Sequence, residues 1–89
     1  MKIVKTASAG TLESSDAYVE VAPGSEGITL EIDSVVYAQF GDAIRETVLD
    51  VLKECGVEEA SVRVADRGAL ECVLRARVET ALLRGKEEV

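Results

Sequence analysis

The stretch ITLEIDSVVYAQFGDAIRETVLDVLKECG, Ile28–Gly56, changes its period partway along. Up to Asp33 the pattern is strict alternation. Ile28, Leu30 and Ile32 share one side, and Thr29, Glu31 and Asp33 the other, which is a half-buried strand. From Val36 the apolar residues recur at three- and four-residue steps: Val36, Tyr37, Phe40, Ile44, Val48, Val51 and Cys55. At 100° per residue they form one stripe, with Asp42, Arg45, Glu46, Asp50 and Lys53 mostly away from it. The spacing predicts an amphipathic helix over about 35–55. Ser34 is its expected N-cap, through a hydroxyl that accepts from a free backbone N–H. Gly56 is its expected stop, and Cys55 is expected to fill core space.

Working outward, AYVEVA at 17–22 alternates in the same way, with Val19 and Val21 on one face. Pro23–Gly27 is a turn-rich connection of hairpin length, so 17–22 and 28–33 are expected to pair as an antiparallel hairpin. Residues 60–66, ASVRVAD, return to period 2 with Val62 and Val64 inward. Asp66-Arg67-Gly68 reads as a turn into a last helix over about 69–84, stopped by Gly85. That helix carries two stripes. Leu70, Leu74, Val78 and Ala81 form one, and Ala69, Cys72, Val73, Ala76 and Leu83 the other. One stripe can face the sheet. The other calls for the first helix or for a partner protein.

Before Ala17 the pattern is weak. Residues 2–6 suit at most a short strand, and the small, polar residues 7–16 read as a mobile loop. The expected organisation is a flexible segment 1–16, one α+β domain over 17–85 and a frayed tail 86–89. Strand, strand, helix, strand, helix (β-β-α-β-α), with a right-handed crossover, gives a two-layer sandwich: a small mixed sheet with two helices on one face.

Composition narrows the function. The chain has 89 residues, a net charge of −7 and no histidine. The charge opposes binding to a nucleic-acid backbone and favours a basic partner. Without histidine the usual general base at neutral pH is missing, and neither a Ser-His-Asp nor a Cys-His arrangement can be built. No phosphate-cradling glycine loop occurs. Cys55 and Cys72, the two cysteines, are too few and too far apart for a disulfide framework or a zinc site. They suit a reducing cytoplasm. No signal-peptide pattern or run of 18 apolar residues is present, so neither secretion nor a membrane is expected.

A free-standing enzyme is therefore not expected. GTLESSD, residues Gly10–Asp16, instead offers a pair of hydroxyls, Ser14 and Ser15, between two acids. On a flexible segment they can be modified by an enzyme that brings its own base; alternatively, one of them forms a turn or cap with Asp16. Arg75 and Arg77 are candidates to grip phosphates or a partner's carboxylates. The plainer alternative is helix pairing, such as Glu71 with Arg75 at i, i+4.

Three blocks in order, GTLESSD at 10–16, QFGDAIRETVLDVL at 39–52 and DRGALECVLRARVE at 66–79, resemble the acyl carrier (gamma) subunit of citrate lyase. The similarity runs from about Ala9 to Leu83. It implies that Ser14, with Ser15 as the fallback, carries 2'-(5''-phosphoribosyl)-3'-dephospho-coenzyme A through a phosphodiester. The thiol of that group would shuttle acetyl and citryl thioesters while citrate is cleaved to oxaloacetate and acetate. The implied partners are the alpha (acyl transferase) and beta (citryl lyase) subunits, a prosthetic-group transferase and an acetylating ligase. The chain itself would be non-catalytic, because the cofactor holds the reactive sulfur and the protein supplies positioning. Glu13 and Asp16 beside the attachment point are expected to repel the phosphodiester and send the arm into solvent or a partner. The competing readings are a scaffold subunit with no cargo and the carrier of the related citramalate lyase.

Overall fold

The computed structural model describes residues 1–88. Six elements follow in order: β1 Ala7–Gly10, β2 Ala17–Ala22, β3 Ile28–Ser34, α1 Tyr37–Glu54, β4 Ala60–Asp66 and α2 Glu71–Gly85. The strands form one mixed sheet in the order β1-β2-β4-β3. Ala17, Val19 and Val21 of β2 and Ala60, Val62 and Val64 of β4 are buried, together with Ile44, Val48, Val51 and Leu52 of α1 and Leu74, Val78, Ala81 and Leu82 of α2. Tyr18, Glu20, Arg63, Glu31 and Asp33 occupy the alternate positions and stay partly or fully exposed. Both helices therefore cover one sheet face. The expected two-layer α+β sandwich is the one observed, with an additional first strand (β-β-β-α-β-α).

The antiparallel hairpin expected between 17–22 and 28–33 does not form. β4 lies between the two strands, antiparallel to β2 and parallel to β3. Val64 stands opposite both Val19 and Ile32, and Val62 opposite both Val21 and Leu30. The connection Pro23–Gly27 steps over the start of β4. Gly24 passes so close to Ala60 that an added Cβ would sit 2.7 Å from its amide nitrogen, and the Ala60 amide donates to the Gly27 carbonyl at 3.1 Å. A connection of hairpin length is equally able to leap one strand. The insertion gives β4 two neighbours, so its Val-rich inner face sits at the middle of the core.

The loop expected over 7–16 contains β1, which pairs antiparallel with β2, Ala9 opposite Val19. Ala9 is buried. Short, small residues gave no strand signal, yet small side chains are what α2 admits above this edge. The strand considered for residues 2–6 reduces to a single bridge, Ile3 with Lys86. Within the tail expected to fray, the Glu87 amide donates to the Lys2 carbonyl at 2.9 Å; Val89 lies outside the described residues.

Ser34 does not cap α1. The helix begins after Val36 and has no side-chain cap. Ser34 Oγ accepts from the Val36 amide at 3.1 Å and donates to Asp66 at 2.7 Å. Gly56 ends the helix as expected. In the left-handed conformation, φ 68°, it donates to the Lys53 carbonyl while Val57 donates to the Leu52 carbonyl, a Schellman closure. The helix stripe is buried from Ile44 onward, but Tyr37 and Phe40 emerge at the helix start. Cys55 is half-buried against the core. The second stripe of α2 is not covered by α1: Cys72, Ala76 and Leu83 are exposed.

Candidate functional site

The serine pair occupies the tip of the β1–β2 hairpin. The Asp16 amide donates to the Glu13 carbonyl at 3.1 Å, closing a turn with Ser14 and Ser15 at its corners. Ser15 adopts φ 67°, the single non-glycine residue with positive φ among those described. Both serines are exposed. The Ser15 amide donates to the Arg67 carbonyl at 2.8 Å, and the Arg67 amide donates to the Asp16 carbonyl at 2.9 Å. These two bonds extend the β2–β4 ladder into the tip and tie it to the turn that leads into α2.

Asp16 anchors the loop from below. Arg77 Nε and Nη2 donate to its two oxygens, each at 2.9 Å, a bidentate fork. Thr11 Oγ1 donates to Oδ2 and the Ala17 amide to Oδ1, both at 2.7 Å. The Arg77 bonds first, then those from Thr11 and Ala17, hold the Asp16 carboxyl well below the usual carboxylate range. In return Asp16 pushes the Arg77 guanidinium up. The Glu13 amide donates to Thr11 Oγ1 at 3.2 Å, so the tethers run through Thr11, Glu13, the Ser15 backbone and Asp16 and leave both serine hydroxyls out.

Both arginine expectations change. Arg77 is neither a phosphate grip nor an ordinary helix pair; it is the strut of the serine loop. Arg75 pairs with Glu54 of α1 at 2.6 Å rather than with Glu71. Because Asp16 is matched by Arg77, Glu13 is the acid left to repel a phosphate at the tip. Nothing in local spacing announces the Asp16–Arg77 fork, which joins residues 61 apart. Asp66 was equally illegible as more than a turn residue. It is buried, accepts from Ser34, and receives the Gly68 and Ala69 amides at 3.2 and 3.0 Å, which shapes the turn carrying Arg67.

Chemically, the tip offers an exposed alcohol with no base beside it, held by a loop whose anchors lie one residue or more away. Cys55 does not compete for the role: burial, with the Glu79 and Glu54 carboxylates, pushes its thiol up and away from the reactive thiolate. Cys72 is exposed on α2.

The anchor yields an acid-side prediction. Asp16 has its pKa depressed by folding, so its contribution is fully present above the unfolded value of about 4 and is lost as pH falls below that, towards the folded value. In wild-type protein the Ser15 amide should remain protected at pH 4, where ordinary carboxylates are half protonated. In Arg77→Ala the Ser15 amide should exchange several-fold faster at neutral pH, with global unfolding little changed. Amide hydrogen exchange by NMR reads both. Equal Ser15 protection in the two proteins would remove the strut from the account.

Comparisons with known proteins cover nearly the whole chain. A family model described as malonate decarboxylase delta subunit matches residues 4–85. Citrate lyase acyl carrier protein 2 of Salmonella typhimurium is 56% identical over 89 residues, covering 99% of this chain and 92% of that protein. The citrate lyase acyl carrier protein of Serratia proteamaculans is 58% identical over 86 residues, covering 94% and 83%. That of Pectobacterium atrosepticum is 53% identical over 87 residues, covering 98% and 91%. A chain in the crystal structure of a Pseudomonas malonate decarboxylase hetero-tetramer in complex with malonate superposes with a TM-score of 0.65 at 23% identity, covering 92% of this chain and 84% of that one. At that identity the likeness concerns the fold.

Proposed function

This chain belongs to the citrate lyase acyl carrier proteins, non-catalytic carrier subunits of a lyase, and from that premise we infer that Ser14 is the attachment point of its prosthetic group. The observation that carries this is the hairpin tip: an exposed hydroxyl, left out of the loop's hydrogen bonds, on a turn braced by Arg77 and Arg67. Ser15 is the weaker choice. Its amide is tied to Arg67 and its backbone is left-handed, so a visiting enzyme has less freedom to draw it into an active site.

The residues present fit 2'-(5''-phosphoribosyl)-3'-dephospho-coenzyme A as the attached group. Such a group supplies a thiol that carries acyl units as thioesters. The chain's own part is mechanical. Ser14 Oγ provides the ester oxygen by attacking the phosphorus of a phosphoanhydride donor on the transferase. The anhydride P–O bond breaks and its outer phosphate group leaves, and the serine proton goes to a base on the transferase, since no histidine exists here. Asp16, neutralised by Arg77, holds the tip at a fixed height above the sheet. Glu13 turns the phosphodiester outward. A tether fixed there raises the concentration of cargo at neighbouring active sites to about the millimolar range. The partners in this reading are the alpha and beta subunits of citrate lyase, the transferase and an acetylating ligase. Substrate choice between citrate and citramalate rests with those subunits, and the citrate lyase carriers among its relatives favour citrate. The compartment in this reading is the cytoplasm, supported by two free cysteines. No helix of the described residues is long and apolar enough to cross a membrane.

Co-expression with the transferase, followed by intact mass and peptide mapping, tests the assignment. An adduct on the 7–20 peptide should be abolished by Ser14→Ala and retained in Ser15→Ala. Survival of the adduct in Ser14→Ala moves the site to Ser15. A wild-type chain with no adduct favours a scaffold subunit instead.

A further inference from the structure

The N-terminal turns of α1 and α2 leave an apolar groove between them. Val36, Phe40, Ile44, Ala69, Leu70 and Leu74 line it, and its volume is about 390 Å³. Phe40 is 52% exposed and Leu70 71% exposed, a large apolar display for a chain this acidic. The floor at Gly68 and Ala69 is held by Asp66. The neighbouring Arg67 backbone bonds Ser15 and Asp16. The groove and the serine tip are thus two sides of one rigid turn.

Its rim has a sign. On α1 the exposed Glu46 and Asp50 follow the lining residues Ala43 and Thr47 by three positions, which makes them neighbours on the helix surface, and Glu71, itself in the lining, accepts from Thr47 Oγ1 at 3.3 Å. Among the described residues none of these three acids forms a salt bridge. Arg67 lies at the serine end and is already engaged with Asp33 at 3.7 Å. A second copy of this chain would bring the same acidic rim and another −7 of net charge against it.

We propose that this groove is the docking surface for a larger subunit of the lyase, which inserts an apolar side chain between Phe40 and Leu70 and sets flanking Lys or Arg against Glu46, Asp50 and Glu71. Docking there stands the partner beside Ser14, so that one contact both recruits the carrier and aims its tip. The proposal rests on the carrier reading only in that such a subunit exists; it requires nothing attached to Ser14 for binding.

The test titrates purified citrate lyase alpha and beta subunits separately into full-length fluorescently labelled carrier. Phe40→Ser and Leu70→Ser should each weaken binding of at least one subunit by roughly 30-fold, the scale of a central apolar anchor. Both side chains are largely exposed, so thermal midpoints should stay near wild type. Glu46→Lys with Asp50→Lys should weaken binding several-fold and flatten its salt dependence. Glu31→Lys, on the open sheet face, should leave it unchanged. Unaltered affinity in Phe40→Ser and Leu70→Ser overturns the proposal, as does binding by neither subunit. Concentration-dependent dimers of the carrier abolished by Leu70→Ser would also overturn it, in favour of a second copy. So would Phe40 and Leu70 resonances that shift on attachment with no partner present, in favour of the carrier's own arm. Intact mass read on the same samples keeps the two questions apart: an adduct missing from wild type sinks the carrier reading and leaves the affinities to judge the groove.

Discussion

Asp66→Ala should lower the unfolding free energy by about 3–4 kcal/mol, because it strands three donors that now share one buried carboxyl. The side chain is 2% exposed. It accepts from Ser34 Oγ at 2.7 Å, from the Gly68 amide at 3.2 Å and from the Ala69 amide at 3.0 Å. It therefore joins the end of β3, the end of β4 and the approach to α2. Alanine offers no acceptor, and a partly buried turn gives water poor access to the amides. For a domain whose total stability is about 5–15 kcal/mol, the loss is a large share. Asp66→Asn keeps one acceptor oxygen and nearly the same shape, so it should cost about 1–2 kcal/mol. Urea unfolding followed by circular dichroism measures both. A midpoint for Asp66→Ala no lower than that of a surface control, Glu58→Ala, would show that the network is ornamental. Because the same carboxyl shapes the turn that bonds Ser15, the partly destabilised Asp66→Asn protein should also lose protection at the serine tip.

Gly10→Ala should be nearly as damaging, and for a different reason. Gly10 leads β1 into the serine loop with φ 95°. A Cβ built there would collide with the Ala17 carbonyl oxygen and press on Arg77 Cδ at 3.1 Å. The left-handed backbone costs an alanine about 1–2 kcal/mol by itself. The collision adds to it, because a carbonyl in a strand cannot swing aside as a flexible side chain can. A total near 3 kcal/mol lowers the thermal midpoint by at least ~10 °C for a domain of this size. Gly27→Ala isolates the two effects. Gly27 also has a positive φ, 82°, but nothing lies within 4 Å of its added Cβ. It should lose only the backbone part, about 1 kcal/mol. Calorimetry on the two variants decides the matter: equal midpoints would mean that Gly10 is there for its φ alone. Since an added Cβ at Gly10 presses on both Ala17 and Arg77, the proposed attachment at Ser14 should slow in Gly10→Ala even where the domain still folds.

Much of the architecture was readable because period reports burial. Alternation in AYVEVA, ITLEID and ASVRVAD places one side of each strand on the core, and the three-to-four spacing from Ile44 to Leu52 places one side of α1 there. Gly56 ended its helix for a reason that is local, a left-handed backbone after the last turn. The first strand escaped notice because Ala7, Ser8, Ala9 and Gly10 have no contrast between faces. Their strand exists only because β2 supplies the ladder and α2 the roof: Arg84 of α2 donates to the Ser8 carbonyl at 2.9 Å. The exposure of Phe40 escaped notice too, since a helical stripe shows which residues share a side and not how far the neighbouring element extends to cover them.

The amino-acid order determined, unaided, the number of principal helices, the buried face of α1 from Ile44 onward, the absence of a histidine base and the presence of an exposed-type serine pair in GTLESSD; all of these are properties of residue type or of spacing within a few turns. Which strand neighbours which, the bracing of the serine tip by Arg77 and Arg67, and the groove beside it were decided by the folded chain. Such contacts join segments tens of residues apart, as Asp16 to Arg77 does. Their partners are selected by how layers pack and where the connections can pass, which no local period encodes.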